Sequence, residues 1–132
     1  MNDLHEECGV FGIYSGKPMD CAGLAYYGLY ALQHRGQESC GIVVADDGLF
    51  TSRRDLGTVN EVFSRETLRK FSSGTMAIGH VRYGTTGGNN RENCQPIVIN
   101  HQKGKLALAH NGNLSNAYEL RSALELGGAI FH

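Results

Sequence analysis

Glu6-Glu7-Cys8-Gly9-Val10-Phe11-Gly12 is the stretch on which the reading of the chain turns. A cysteine is followed at once by glycine and by an apolar, strand-like run through Tyr14, whereas Met1 to Glu7 is polar, acidic and without apolar periodicity. The stretch therefore reads as a strand that starts at Cys8, with an appendage ahead of it. Loss of that appendage would give Cys8 a free α-amine beside its thiol, and the amine could then act as base for the thiol. The plainer reading is a small, half-buried packing residue near a strand end. The two part company on whether the chain supplies partners for a nucleophile.

Outward from this strand, Ser15-Gly16-Lys17-Pro18 is a turn, and Asp20 can cap a helix running to about His34, with Gly36 just past its end. Ala22, Ala25, Leu29 and Leu32 lie on one side of that helix, and Leu24, Tyr27 and Ala31 elsewhere. An almost wholly apolar helix is expected to be largely buried. Cys40–Ala45 reads as a strand, and Asp46-Asp47-Gly48 as a hairpin turn into Leu49–Ser52. Arg53-Arg54, followed by Asp55, reads as a solvated edge or turn. Short helical turns are expected between Asn60 and Ser72, a strand over Thr75–Arg82, and a hairpin from Pro96–Asn100 and Lys105–His110. Ser115 can cap a last helix with Leu120, Ala123 and Leu124 toward the core, ending near Gly127-Gly128. Strand, helix, a run of strands and a helix give an α+β class, with helices on largely antiparallel sheet. Ala129-Ile130-Phe131-His132 looks like the opening of another strand, so the chain is expected to be a fragment.

At 132 residues, 41% hydrophobic and 19% charged, the chain is one globular domain able to bury a core. A formal net charge of -1 leaves no cationic excess for phosphate neutralisation, which excludes a nucleic-acid partner. No run is long and apolar enough to span a bilayer, and the acidic start is unlike a signal peptide. A cytoplasmic protein is expected, and Cys8, Cys21, Cys40 and Cys94, which include no CxxC pair, are then free thiols.

Three loops combine polar side chains with glycine: Gln33-His34-Arg35-Gly36-Gln37-Glu38-Ser39, Gly79-His80-Val81-Arg82-Tyr83-Gly84-Thr85-Thr86-Gly87, and His110-Asn111-Gly112-Asn113-Leu114. Each has a structural account of its own: His34 and Arg35 as cations at a helix end, Arg82 as a surface ion pair, Asn111-Gly112 as a turn. Together they match a need. A thiol attacking a carboxamide requires a side-chain amide and a backbone N–H aimed at the developing oxyanion, and Asn111 with the N–H of Gly112 is such a pair. A substrate α-carboxylate requires a planar cation, and Arg82 can grip one bidentately.

ECGVFGIY, LQHRGQES, IGHVRYGTTG and ALAHNGNLSNA, in that order, resemble the N-terminal glutaminase part of the glutamine phosphoribosylpyrophosphate amidotransferases, from about Cys8 to the end of the chain. The resemblance implies a four-layer αββα sandwich of the Ntn-hydrolase type, incomplete at the C-terminus. It implies a propeptide over residues 1–7, a partial glutaminase domain over 8–132, and Cys8 as nucleophile with its own α-amine as general base. Arg82 would bind the glutamine α-carboxylate, Tyr83, Gly84, Thr85 and Thr86 would enclose the substrate, Asn111 and Gly112 would form the oxyanion hole, and Arg35 would support the site. Glutamine would be hydrolysed through a γ-glutamyl thioester, and the ammonia passed to phosphoribosyl pyrophosphate by a phosphoribosyltransferase domain outside this chain. No metal site or cofactor is expected within these residues. Mg2+, and a 4Fe-4S cluster of some members, would go with that other domain, as would a homo-oligomeric state of the full-length enzyme.

Cys40 and Gly84 depart from the family's usual alanine and serine or alanine, small for small. As written, the chain is expected to be inactive: the nitrogen of Cys8 lies in a peptide bond, and the acidic residue for the substrate α-amine is not among these residues. Two other readings stand beside this one. The first is a sister enzyme of the same class serving another acceptor, such as a glucosamine-6-phosphate synthase. The second is a non-catalytic thiol or metal module using Cys8, Cys94, His80, His101 and His110, for which no pair has zinc-site spacing.

Overall fold

The computed structural model describes residues 8–33, 37–71, 73–83, 91–112 and 114–130. Strand β1 (Cys8–Met19) leads into helix α1 (Cys21–Leu32), then β2 (Gln37–Asp46) and β3 (Leu49–Leu56), the short helices α2 (Val59–Val62) and α3 (Arg65–Arg69), and β4 (Gly74–Tyr83). A 3-10 turn at Arg91–Asn93, the hairpin β5 (Ile97–His101) and β6 (Gly104–Leu108), and helix α4 (Ala117–Leu126) complete the order. The architecture is α+β, as expected. Its main sheet has the order β1-β4-β2-β3 with every pair antiparallel, and β5-β6 forms a second, two-stranded sheet.

Local chemistry sets most of the boundaries. The Asp20 carboxylate accepts from Gly23 N at 2.9 Å and starts α1. Positive φ at Asp47 (46°) and Gly48 (81°) makes the tight turn that joins β2 to β3. Thr58 and Glu61 form a reciprocal capping box at α2. The core lies between α1 and the sheet: Cys21, Ala22, Ala25 and Leu29 meet Ile42, Val44, Ala77 and Val81, with Val59, Val62 and Phe63 closing the side. Truncating the fully buried Leu29 to alanine would cost about 2–5 kcal/mol.

Several expectations need correcting. Ser15–Pro18 does not end the first strand; β1 continues to Met19 with an irregular register between Tyr14 and Met19. Gln37–Ser39 is strand, not loop. Helix α1 buries one face only, and Leu24, Tyr27 and Tyr30 are exposed on the other. Helix α4 begins at Ala117 with Asn116 as its cap residue, and none of its residues is buried. Arg53 and Arg54 lie within the edge strand β3 and are not merely solvated. Arg53 Nε donates to Val62 O at 3.2 Å, and Arg54 Nη1 donates to Cys94 O at 2.9 Å.

Candidate active site

Strand alternation sorts the side chains of the main sheet. On β4, Ala77, Gly79, Val81 and Tyr83 face α1, so His80 and Arg82 face the other way. Cys8 is paired with Arg82 and Val10 with His80, which puts Cys8 on the same face as Arg82. Ser39 and Gly41 of β2 stand opposite Arg82 and His80 from the other side. The nucleophile and carboxylate-grip candidates are thus register partners at one end of the sheet. Cys8 is a free, half-buried thiol.

The segment that covers this face comes from much later in the chain. Asn111 Nδ2 donates to the carbonyl oxygen of Cys8 at 3.0 Å. Gly112 has φ +114°, in the left-handed region that glycine adopts without steric cost, and an added Cβ would meet only His110 Cε1, at 3.8 Å. Backbone conformation, not crowding, is what calls for glycine there. At Gly41 the need is space, because a Cβ would run into the carbonyl oxygen of Gln95. That close approach lets the 94–96 segment lie on the sheet. Arg54 holds the same segment from the edge through Cys94 O.

Behind Asn111, the His110 backbone is held at both ends. Its N–H donates to Gln95 Oε1 at 2.6 Å, and its carbonyl oxygen lies 3.2 Å from Nε2 of the fully buried His80. A carbonyl only accepts, so Nε2 carries the proton. Burial holds His80 below the ordinary histidine range; the His110 carbonyl and the Asn111 side chain partly oppose this, while Arg82 and the His110 ring act with burial. The other ring nitrogen, Nδ1, has no hydrogen-bond partner among the described residues.

Arg82 Nη1 donates to Asn93 O at 3.4 Å, so the 3-10 turn sits beside the arginine. That turn is tied to the sheet edge by a two-pronged ion pair, Arg91 Nε to Asp55 Oδ1 at 3.0 Å and Nη2 to Oδ2 at 2.8 Å.

Of the residues expected at the site, Cys8, Arg82, Asn111 and Gly112 come together. Tyr83 does not join them: it is buried on the α1 face, and its hydroxyl donates to Leu32 O at 3.3 Å. Arg35, Thr85 and Thr86 lie outside the described residues. His80, Gln95 and the Asp55–Arg91 pair support the site without having been expected to. His80 was legible as one polar residue in a glycine-rich loop and as a candidate of the metal module, and Gln95 carried no signal. Among the described residues, no three His, Cys, Asp or Glu side chains are grouped so as to hold a metal ion. No helix among them is long and apolar enough to cross a membrane.

The antiparallel main sheet thus sets a cysteine at a strand start beside an arginine, with the Asn111 amide on the cysteine's carbonyl oxygen. Residues 55–126 match the family described as class-II glutamine amidotransferases, and the chain belongs to that family. Within it, the chain is 51% identical over 124 residues to the amidophosphoribosyltransferase of Methanocaldococcus jannaschii, covering 94% of this chain and 26% of that protein. It is 50% identical over 129 residues to the amidophosphoribosyltransferase of Bacillus subtilis, covering 97% of this chain and 26% of that one. Among solved structures, the allosteric regulatory enzyme of purine biosynthesis superposes with a TM-score of 0.83 at 48% identity, over 93% of this chain and 26% of that one. The glutamine phosphoribosylpyrophosphate amidotransferase from B. subtilis, complexed with ADP and GMP, gives 0.75 at 44% identity, over 95% and 26%. The chain spans about a quarter of the length of these relatives, at 26%.

Proposed function

We propose that this chain is the glutamine-hydrolysing part of an amidophosphoribosyltransferase, which makes 5-phosphoribosylamine from phosphoribosyl pyrophosphate and glutamine in the first step of purine synthesis. The observation that carries the reading is the Asn111 amide on the Cys8 carbonyl, with Arg82 as the register partner of Cys8. Residues 1–7 are a propeptide in this reading, and its loss frees the α-amine of Cys8. The remaining 8–132 belong to the glutaminase domain, with the phosphoribosyltransferase domain, its Mg2+ and any 4Fe-4S cluster elsewhere in a longer, homo-oligomeric, cytoplasmic enzyme.

The α-amine takes the thiol proton, and the sulfur attacks the side-chain amide carbon of glutamine. The carbonyl π electrons move onto oxygen. A primary amide carries two N–H donors, so Asn111 can keep the Cys8 carbonyl with one and meet the oxyanion with the other, joined by Gly112 N–H. Collapse expels ammonia, protonated from the α-amine, and leaves a γ-glutamyl thioester. Water, deprotonated by the same amine, then releases glutamate and restores the thiol. Arg82 holds the substrate α-carboxylate as a planar, two-pronged partner. Thr85, Thr86 and Arg35 would add to the substrate enclosure in this reading, while the Tyr83 hydroxyl donates to Leu32 O on α1.

Mass spectrometry of the active full-length enzyme tests the processing step. A polypeptide that begins at Cys8 is expected. An active enzyme that still begins at Met1 or Asn2 would overturn it.

A further inference from the structure

His80 is a titratable, fully buried side chain to which the chemistry above gives no part. An apolar residue of the same size would fill its place without burying a ring nitrogen that has no partner among the described residues, an arrangement that costs stability. What the imidazole adds is one donor, and that donor goes to the carbonyl of His110, at 3.2 Å. His110 is the residue directly before Asn111. Its N–H is taken by Gln95 Oε1 at 2.6 Å, and Gln95 in turn sits on Gly41, the register partner of His80 on β2. The His110 backbone is therefore held on both sides, by His80 from β4 and by Gln95 from the segment packed on Gly41. Asn111 and Gly112 lie beyond the end of β6 at Leu108, outside its pairing with β5.

We propose that His80 is a positioning residue of the oxyanion hole: through Nε2–H it sets the His110 peptide, and with it the Asn111 amide and the Gly112 N–H, against Cys8. It acts through the His110 carbonyl. Its effect falls on the charge that develops in the transition state and not on the grip of Arg82, so it acts on kcat and leaves KM nearly unchanged.

The inference rests on the glutaminase reading, and the test separates the two. A full-length enzyme beginning at Cys8 is compared with His80→Leu, His80→Gln and Cys8→Ser for glutamine hydrolysis, and for the rate at which iodoacetamide labels Cys8. Glutamine's Nε2 can stand where the imidazole Nε2 stands, so His80→Gln is expected to keep kcat within a few-fold. His80→Leu is expected to lose roughly 10–100-fold in kcat, less than a missing oxyanion donor, with KM within threefold and parental labelling of Cys8. If the leucine variant does not fold, His80→Asn, too short to reach the His110 carbonyl, carries the same expectation. Parental kcat in the leucine variant would overturn the inference. So would equal losses in the leucine and glutamine variants, or labelling that falls in step with turnover. A parent that does not hydrolyse glutamine, or a Cys8→Ser variant that does, would instead overturn the glutaminase reading itself.

Discussion

Asn111 Nδ2 donates to the carbonyl oxygen of Cys8 at 3.0 Å, joining residues 103 positions apart in sequence. The bond sets the Asn111 side chain beside the backbone of Cys8. It also ties the turn after β6 to the first residue of β1. Removing the amide by Asn111→Ala is expected to lower kcat for glutamine hydrolysis by about 10²–10³, the usual cost of one oxyanion donor, with a much smaller change in KM. Steady-state kinetics of the full-length enzyme check this. Loss confined to KM would place Asn111 in ground-state binding instead.

The Asp55–Arg91 pair predicts a modest effect on substrate binding. Burial raises the Asp55 carboxyl, but the Leu56 N–H and Arg91 outweigh it and hold the group below its ordinary 3.8. A depressed folded-state value means that the pair stabilises the fold above the unfolded value and that this contribution is lost as pH falls through the folded one. With the Arg91 side chain 72% exposed, the contribution is of order 0.5–1 kcal/mol and salt-sensitive. Because the 3-10 turn carries the Asn93 carbonyl that accepts from Arg82, Asp55→Asn is expected to raise KM for glutamine several-fold while kcat holds. Kinetics at low and high salt measure both effects.

His80 predicts an acid sensitivity. Its folded-state value lies below the ordinary 6.5, so the unfolded chain takes up the proton first as pH falls. Above pH 6.5 both states are neutral there and the histidine contributes no pH dependence; below it, stability falls until the folded-state value is reached. His80→Gln removes this titration. Thermal unfolding from pH 8 to 5 is expected to show the parent losing more Tm than the variant below about pH 6.5. Parallel curves would mean that the ring is hydrated and not desolvated.

Thiol labelling distinguishes the cysteines. Burial first, then the neighbouring Cys94, pushes the Cys40 thiol up to about 12, and Cys21 is raised as well. Cys21, Cys40 and Cys94 are buried, while Cys8 is half-buried at a strand start. Iodoacetamide at pH 8 is therefore expected to modify Cys8 in the folded protein and the other three only after denaturation. Peptide mapping reads the result directly.

The sheet and its helix were legible because their signals are local. Asp20 before an apolar run, and Asp46-Asp47-Gly48 between apolar runs, each fix a boundary through backbone hydrogen bonding or φ. What covers a face is not local. Leu120 and Leu124 mark the apolar side of α4, yet they are 42% and 53% exposed, because periodicity names a face and not its neighbour. The same holds for Tyr27 and Tyr30 on α1. At the site, Arg82 and Asn111-Gly112 carried chemistry in their residue types. The direction of the Tyr83 side chain was legible from alternation: one residue past Arg82 on a strand is the opposite face, which is the α1 side. The His80–His110–Gln95 arrangement was out of reach, since it depends on a contact between β4 and the end of β6 that no spacing encodes.

The central claim is that Cys8 is the nucleophile of glutamine hydrolysis, and one assay tests it most directly. The full-length enzyme and its Cys8→Ser variant are compared for glutamate release from glutamine, with circular dichroism to establish that both fold. The account predicts glutamate from the parent and loss of at least about 10³-fold in kcat for the serine variant, the scale seen when a nucleophile is removed. Serine-variant turnover equal to the parent's would contradict it.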